Sequence, residues 1–335
     1  MPTSPEQSPS TMSAAVFSEY GGPEVLSIAQ RPVPVPGRTE VLVRISSAAV
    51  STADVIMRRG SPFAARLAMG LLKPGKPVLG TEYSGVVEQC GADVDRFVKG
   101  DIVVGATGDD FGAHAQYICV DEQAVLAQVP EGLDAAEMLA ISEGAMTALP
   151  FLRDAGGIRK GIQVLVNGAS GSVGSAAVQL AKHFGTQVTA VCSAGNAELV
   201  RSLGATEVID YASEDFTAGE ARYDIVFDAV GRSSFAACRR VLKPDGAYLC
   251  TVLSFGILMQ NWLTGRSSGQ RARIILTGLR DAKLRAKDLR YICRLAGEGV
   301  LKPVIDSRYP LEQVREAHAR VDSGHKRGSV LLELP

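Results

Sequence analysis

The sequence predicts an α/β protein in two parts, a mainly antiparallel β region followed by a parallel sheet with crossover helices. Three observations carry that prediction. From Ser13 to about Val129, short alternating or β-branched runs are cut by Gly and Pro. Beyond about Leu133, apolar runs of strand length alternate with amphipathic segments of helix length. A Gly-rich turn joins one of those strands to the helix after it.

Residues 1–12 form a tail rich in Pro, Ser, Thr and Glu, which reads as frayed. Val41-Leu42-Val43-Arg44-Ile45 and Ser84-Gly85-Val86-Val87-Glu88 are strand runs, punctuated by Gly22-Pro23, Pro34-Val35-Pro36-Gly37 and Lys99-Gly100-Asp101. Between Arg58 and Lys76, Phe63, Leu67, Leu71 and Leu72 recur at helical spacing among basic residues, predicting a helical insertion. Strands then follow at Val164–Val166, Val188–Val191, Ile225–Phe227 and Tyr248–Cys250, with helices at Ser175–Phe184, Ala197–Leu203 and Phe235–Leu242. A helix near Leu284–Ala296 leads through Gly297, Gly299 and Pro303 to another at Leu311–Ser323, and Ser329–Leu332 closes the chain as a strand.

At 335 residues the chain is long enough for about two domains and a full core. Its 35 Lys and Arg balance 36 Asp and Glu, so no overall field favours nucleic acid or an anionic membrane. Six cysteines with no CxxC, and an N-terminus without an apolar signal core, predict free thiols in a reducing, cytoplasmic setting. The charge-free stretches 161–181 and 246–265 are broken by Gly, Asn, Gln and Ser, which argues against a membrane span.

The sharpest motif is Asn167-Gly168-Ala169-Ser170-Gly171-Ser172-Val173-Gly174. Small residues at 169, 171 and 174 permit a tight turn, close approach of a pyrophosphate to backbone N–H groups, and close helix-to-strand packing. Ala169, Ser170, Gly171, Ser172, Val173 and Gly174 are therefore the expected dinucleotide cradle. The next strand runs into Ser193-Ala194-Gly195-Asn196 with no Asp or Glu to hold a free ribose 2′-hydroxyl or repel a 2′-phosphate. Ser193, Asn196 and Tyr211 offer donors instead, so the cofactor expected is NADP, as NADPH, although no Arg or Lys occupies that turn.

Together with these motifs, Tyr20–Leu26, Ala53-Asp54-Val55, Leu79-Gly80-Thr81-Glu82, Gly100–Gly105, Gly112–Tyr117, Leu203-Gly204-Ala205, Asp224–Gly231 and Gly324–Gly328 make the chain similar to the medium-chain dehydrogenase/reductase superfamily. The resemblance is closest to its zinc-free quinone or enone reductase branch. It implies a Rossmann doubly wound parallel sheet (135–287) enclosed by a GroES-like, chaperonin-10-like, mainly antiparallel β domain (1–134) that residues 288–335 complete. Zinc alcohol dehydrogenases of the superfamily carry Cys and His where this chain has Ser51 and Thr81, so no metal is expected.

By the same resemblance Thr147 touches the nicotinamide, Val230, Gly231 and Leu253 border the ribose and ring, and Ser51 and Asp54 lie near the reacting end. Thr81 and Glu82 read as structural remnants of the metal site. The four histidines, His114, His183, His318 and His325, are scattered and read as structural or surface residues.

Without a Lewis acid, an acceptor that spreads negative charge over several atoms is the easier one to reduce. The expected reaction is therefore hydride transfer from NADPH to an enone or quinone. A metal-free reductase of aldehydes or ketones is the second enzymatic reading. A non-catalytic cofactor-binding protein with an RNA or membrane-surface partner is the third, supported only by eight Lys or Arg against two acids between Arg266 and Arg290. The leading reading expects a small-molecule substrate, no nucleic-acid or membrane partner, and a homodimer formed through an edge strand near Arg273–Thr277. Arg58–Lys76 should overhang the cleft, and Ser254–Leu263 is either an apolar flap over the substrate or a dimer contact.

Overall fold

The computed structural model describes residues 10–265 and 268–335. Strands β1 (Thr11–Val16) and β2 (Ser27–Pro32) form an antiparallel pair. Thr11 and Met12 thus belong to a strand rather than to the expected tail, because their backbones pair with Pro32 and Arg31. Then come β3 (Glu40–Val50), α1 (Thr52–Arg59), α2 (Ala64–Met69), β4 (Glu82–Cys90), β5 (Ile102–Ala106), β6 (Tyr117–Asp121) and β7 (Val125–Gln128). The insertion expected over 58–76 is two short helices: Gly60 at φ +58° ends the first and Gly70 at φ +126° ends the second. Ala65 and Met69 form the buried face of the second helix, whereas Phe63, Leu67, Leu71 and Leu72 stay exposed.

Helix α3 (Ala135–Pro150), capped by Asp134 accepting from Ala136 and Glu137, leads into the second part. There β8 (Gln163–Asn167), α4 (Ser172–His183), β9 (Gln187–Cys192), α5 (Ala197–Leu203), β10 (Glu207–Asp210), β11 (Tyr223–Asp228), α6 (Phe235–Cys238), β12 (Leu242–Cys250), α7 (Phe255–Thr264) and β13 (Arg271–Arg273) follow. Residues 239–242 do not continue α6 as expected, since Val241 and Leu242 turn inward and Leu242 already pairs with Tyr223. The edge strand is Arg271–Arg273, and Thr277 starts a 3-10 turn instead of extending it. Last come α8 (Ala282–Gly297), β14 (Ile305–Pro310), α9 (Val314–Asp322) and β15 (Ser329–Glu333).

Six parallel strands run in the order β10-β9-β8-β11-β12-β13. The chain reverses direction across the sheet between β8 and β11, and such a switch point opens a crevice at the strands' carboxyl ends. The second sheet runs β14-β15-β3-β4-β5-β7, with β6 on β3. Its β15–β3 pairing brings the C-terminal strand back onto the N-terminal part. Helix α3 packs against β3 and β4 as well as against α4 and α8, tying the two sheets together. Helix α8 runs unbroken through position 287, where the sequence suggested a boundary.

Part of the basic stretch 266–290 is used inside the fold. Arg266 lies outside the described residues, whereas Arg280 pairs with buried Asp288 at 2.6 Å, which also takes Arg153 at 2.7 Å. Among the described residues no helix is long and apolar enough to cross a membrane.

Candidate active site

The Gly-rich turn sits at the carboxyl end of β8, on the switch point. Gly168 has φ +77°, and a Cβ there would lie 2.5 Å from Val230 Cγ1, so the turn is pressed against the β11 loop. At Gly174 a Cβ would stand 2.1 Å from the Gly168 carbonyl, which is why the helix approaches its strand only with glycine here. A Cβ on Gly171 would meet nothing nearer than 3.6 Å, so its bareness serves no protein contact and leaves a gap over the turn. Ala169 is fully buried, and Ser170 accepts through its hydroxyl from Asn196 Nδ2 at 3.0 Å. Ser172, N1 of α4, spends its hydroxyl on Glu143 at 3.1 Å. The first-turn N–H groups of Ser172, Val173 and Gly174 have no intrahelical acceptor.

The Gly174 contact has a measurable consequence. Gly174→Ala should lower the free energy of unfolding by about 1–3 kcal/mol through overpacking, read from the denaturant midpoint, whereas Gly171→Ala should leave the midpoint unchanged.

Asn196 also donates to Ser193 Oγ at 3.1 Å, so Ser170, Ser193 and Asn196 form one polar group at the end of β9. Tyr211 follows β10 with its ring exposed and its N–H on the Cys192 carbonyl. Asp210 stands beside Cys192 in the sheet register, but its carboxylate accepts from Ala212 N in its own turn.

Val230 and Leu253, both about two-fifths exposed, line the ends of β11 and β12. Gly231 (φ +66°) allows that loop to reach Val252, whose Cβ would be 2.6 Å from an added methyl. Asp228 holds the loop: its carboxylate accepts from Asn167 Nδ2, Val230 N, Gly231 N, Ser233 N and the Tyr248 hydroxyl at 2.8–3.2 Å. The expected residue set omitted Asp228, although an acid at the end of an apolar strand is the signal that marks it.

Ser51 and Asp54 come together as a capping box at the start of α1. Asp54 Oδ2 accepts from Ser51 N at 2.8 Å and from Ser51 Oγ at 2.7 Å, and Oδ1 accepts from Gly80 N at 2.9 Å. Asp54 is fully buried, so its carboxylate is a structural acceptor that orients Ser51. Thr81 donates to Glu82 Oε2 at 2.5 Å. Burial pushes the Glu82 carboxyl up to about 8 despite that bond; Glu143 and Asp54 push the same way and Arg285 opposes. Glu82 itself is half-buried.

Thr147 lies half-buried on α3, one turn beyond Glu143. Sequence reasoning also missed Glu143, whose signal is a lone acid inside the apolar run Met138–Met146.

The histidines are not all scattered. His114 and His318 meet edge to face with ring centroids 5.6 Å apart, both fully buried, because α9 packs on the sheet beside the 111–116 segment. His114 Nε2 contacts the Ala49 carbonyl at 3.0 Å, and both nitrogens of His318 lack a partner. Among the described residues no group of three or more His, Cys, Asp or Glu is placed to hold a metal ion.

Residues 37–131 match the family described as alcohol dehydrogenase GroES-like domain, and 203–332 match the one described as zinc-binding dehydrogenase. The mouse NAD(P)H oxidoreductase RTN4IP1, mitochondrial, is 31% identical over 96% of this chain and 89% of its own. The chain belongs to the medium-chain dehydrogenase/reductase superfamily. Within that superfamily, the 2-methylene-furan-3-one reductase of Solanum lycopersicum is 32% identical over 97% of this chain and 79% of its own. The solved structure of the quinone oxidoreductase from Coxiella burnetii superposes with a TM-score of 0.86 at 28% identity, covering 97% of this chain and all of the other. The medium-chain fold therefore accounts for both sheets, for the C-terminal strand that closes the second, and for the Gly-rich turn between them.

Proposed function

We propose that this medium-chain oxidoreductase is an NADPH-preferring reductase of conjugated carbonyls or quinones that works without a metal ion. The observation that carries the reading is the way Ser51, Asp54, Thr81 and Glu82 spend their polar atoms on one another and on Gly80. Ser51 and Thr81 are hydroxyls already donating to carboxyls, Asp54 has both oxygens occupied, and Glu82 is held neutral by burial. Zinc asks for thiolate, imidazole or ionised carboxylate, so these residues do not fit it.

They do fit a nicotinamide dinucleotide. The bare Gly171 and the first-turn N–H groups of α4 would take its diphosphate, and Ser193, Asn196 and Tyr211 would surround the adenosine ribose with donors and no free carboxylate. When bound, the cofactor supplies a hydride. Val230, Leu253 and Thr147 would frame the nicotinamide with mostly apolar surface, excluding water from the transfer. With Ser51 turned onto Asp54, its hydroxyl is already engaged and is not free to hold a full alkoxide, which favours an acceptor that delocalises its charge. The relatives' names, an enone reductase and a quinone oxidoreductase among them, support the same substrate class.

The test is turnover of a matched enone and saturated ketone by the parent and by Ser51→Ala, with NADPH or NADH, before and after chelation. Expected are reduction of the enone with little of the ketone, at least about a tenfold kcat/KM preference for NADPH, and no loss to the chelator. Faster ketone turnover, or activity that chelator removes and zinc restores, would overturn the reading.

The same reading makes the protein a homodimer. Supporting the dimer are β13 as an open sheet edge and α7, packed on it, with Phe255, Leu258, Met259, Trp262 and Leu263 exposed. Sedimentation should give twice the chain mass, and Trp262→Glu should shift it to the monomer.

A further inference from the structure

The cofactor turn carries a charge pair that the sequence pattern does not contain. Glu143, on α3, is 7% exposed, and its side chain reaches the start of α4. Its Oε1 accepts from Ser172 Oγ at 3.1 Å and its Oε2 from Ser329 Oγ at 2.6 Å. Lys326 Nζ donates to the same Ser172 Oγ at 3.0 Å and stands 3.7 Å from Glu143 Oε1, with its side chain 12% exposed. The loop bearing Lys326 is fixed against the turn, since Gly328 N donates to the Ser170 carbonyl at 2.9 Å. Gly328 (φ +85°) is needed there because a Cβ would lie 2.0 Å from the Val304 carbonyl. Helices α3 and α4 are equally close, a Cβ on Gly144 standing 2.2 Å from the Ser172 carbonyl.

A buried carboxylate at the N-terminus of α4 occupies the positive end that the dinucleotide's diphosphate needs. Left alone it would compete with the diphosphate for that potential and repel it in a medium where charges are weakly screened. We propose that Lys326 is a positioning residue for the cofactor, neutralising Glu143 beneath the Gly171 turn so that the diphosphate can be held there. This rests on the reading that a nicotinamide dinucleotide lies on that turn.

The prediction is a sign. By calorimetric titration, Lys326→Met should weaken NADPH and ADP-ribose about tenfold, or about 1.4 kcal/mol, and leave nicotinamide mononucleotide, which has no diphosphate, unchanged. Glu143→Gln should bind both diphosphate ligands at least as tightly as the parent, and the double variant should return to within about threefold of it. The loss in Lys326→Met should shrink at high salt, and Lys326→Arg should bind as the parent does. A purely structural clamp would make both single variants weaker and lower their unfolding midpoints without rescue in the double, and that result overturns the proposal. If Lys326→Met does not fold, weaker binding by Glu143→Gln is enough to overturn it. Failure of the parent itself to bind any dinucleotide would instead defeat the reading of the turn, and this proposal with it.

Discussion

Asp228→Ala is expected to lower the free energy of unfolding by about 3–5 kcal/mol, two or three donors being stranded at about 1–3 each, and to abolish measurable dinucleotide binding. The carboxyl group is fully buried and accepts five hydrogen bonds, and among the described residues no Lys or Arg pairs with it. Those bonds come from the strand carrying the Gly-rich turn (Asn167), the loop expected to border the ribose (Val230, Gly231, Ser233) and the neighbouring strand (Tyr248). Removing the acceptor therefore loosens both walls of the crevice at once. Asp228→Asn keeps the shape and one acceptor oxygen but turns an amide toward donors, so it should lose less stability and retain weakened binding. Denaturant unfolding and calorimetry on the two variants measure this. Should Asp228→Ala keep the parent's midpoint and affinity, Asp228 does not organise the site.

The second large effect is a stability profile shaped by two buried groups of opposite sense. His318 is held neutral: burial pushes its pKa well below the ordinary 6.5, and His114 and Arg58 push it the same way. The unfolded chain takes up a proton below 6.5 where the folded one does not, so stability falls as pH drops below that value, by up to about 1.4 kcal/mol per pH unit.

Glu82 works in reverse. Its carboxyl stays protonated in the fold up to about 8 but ionises near 4.5 when unfolded, so its contribution is complete below 4.5 and is lost as pH rises through 8. Between 4.5 and 6.5 the two slopes offset each other and from 6.5 to 8 the Glu82 loss remains; below 4.5 the His318 loss is joined by that of Asp154, Asp224 and Asp306, whose carboxyls the fold holds below their ordinary value. His318→Phe should flatten the acid limb and Glu82→Gln the alkaline one. An acid limb of unchanged slope in His318→Phe would show that another group carries it.

The Gly-rich turn was legible because everything it needs is local. Glycines at fixed offsets between a strand and a helix announce the backbone approach that the structure shows at Gly168 and Gly174. Helix α5 and the closing strand were legible for the same reason, being short segments of consistent period. Helical spacing misled over 58–76, where Gly60 and Gly70 interrupt the helix and leave Leu67 and Leu72 exposed. Spacing also could not show that Asp54 is consumed by Ser51 and Gly80, since the Gly80 donor lies 26 positions away.

By itself, then, the amino-acid order determined the two-part α/β architecture, the position of the dinucleotide turn and the lack of zinc-type ligands at Ser51 and Thr81. Only the tertiary structure decided which charged groups face one another around that turn. Glu143 meets Ser329 across 186 positions, Lys326 meets Ser172 across 154, and His318 lies buried against His114. Backbone conformation is governed by near neighbours along the chain, whereas burial and Coulombic pairing depend on distances in space that only the packed sheets and helices set.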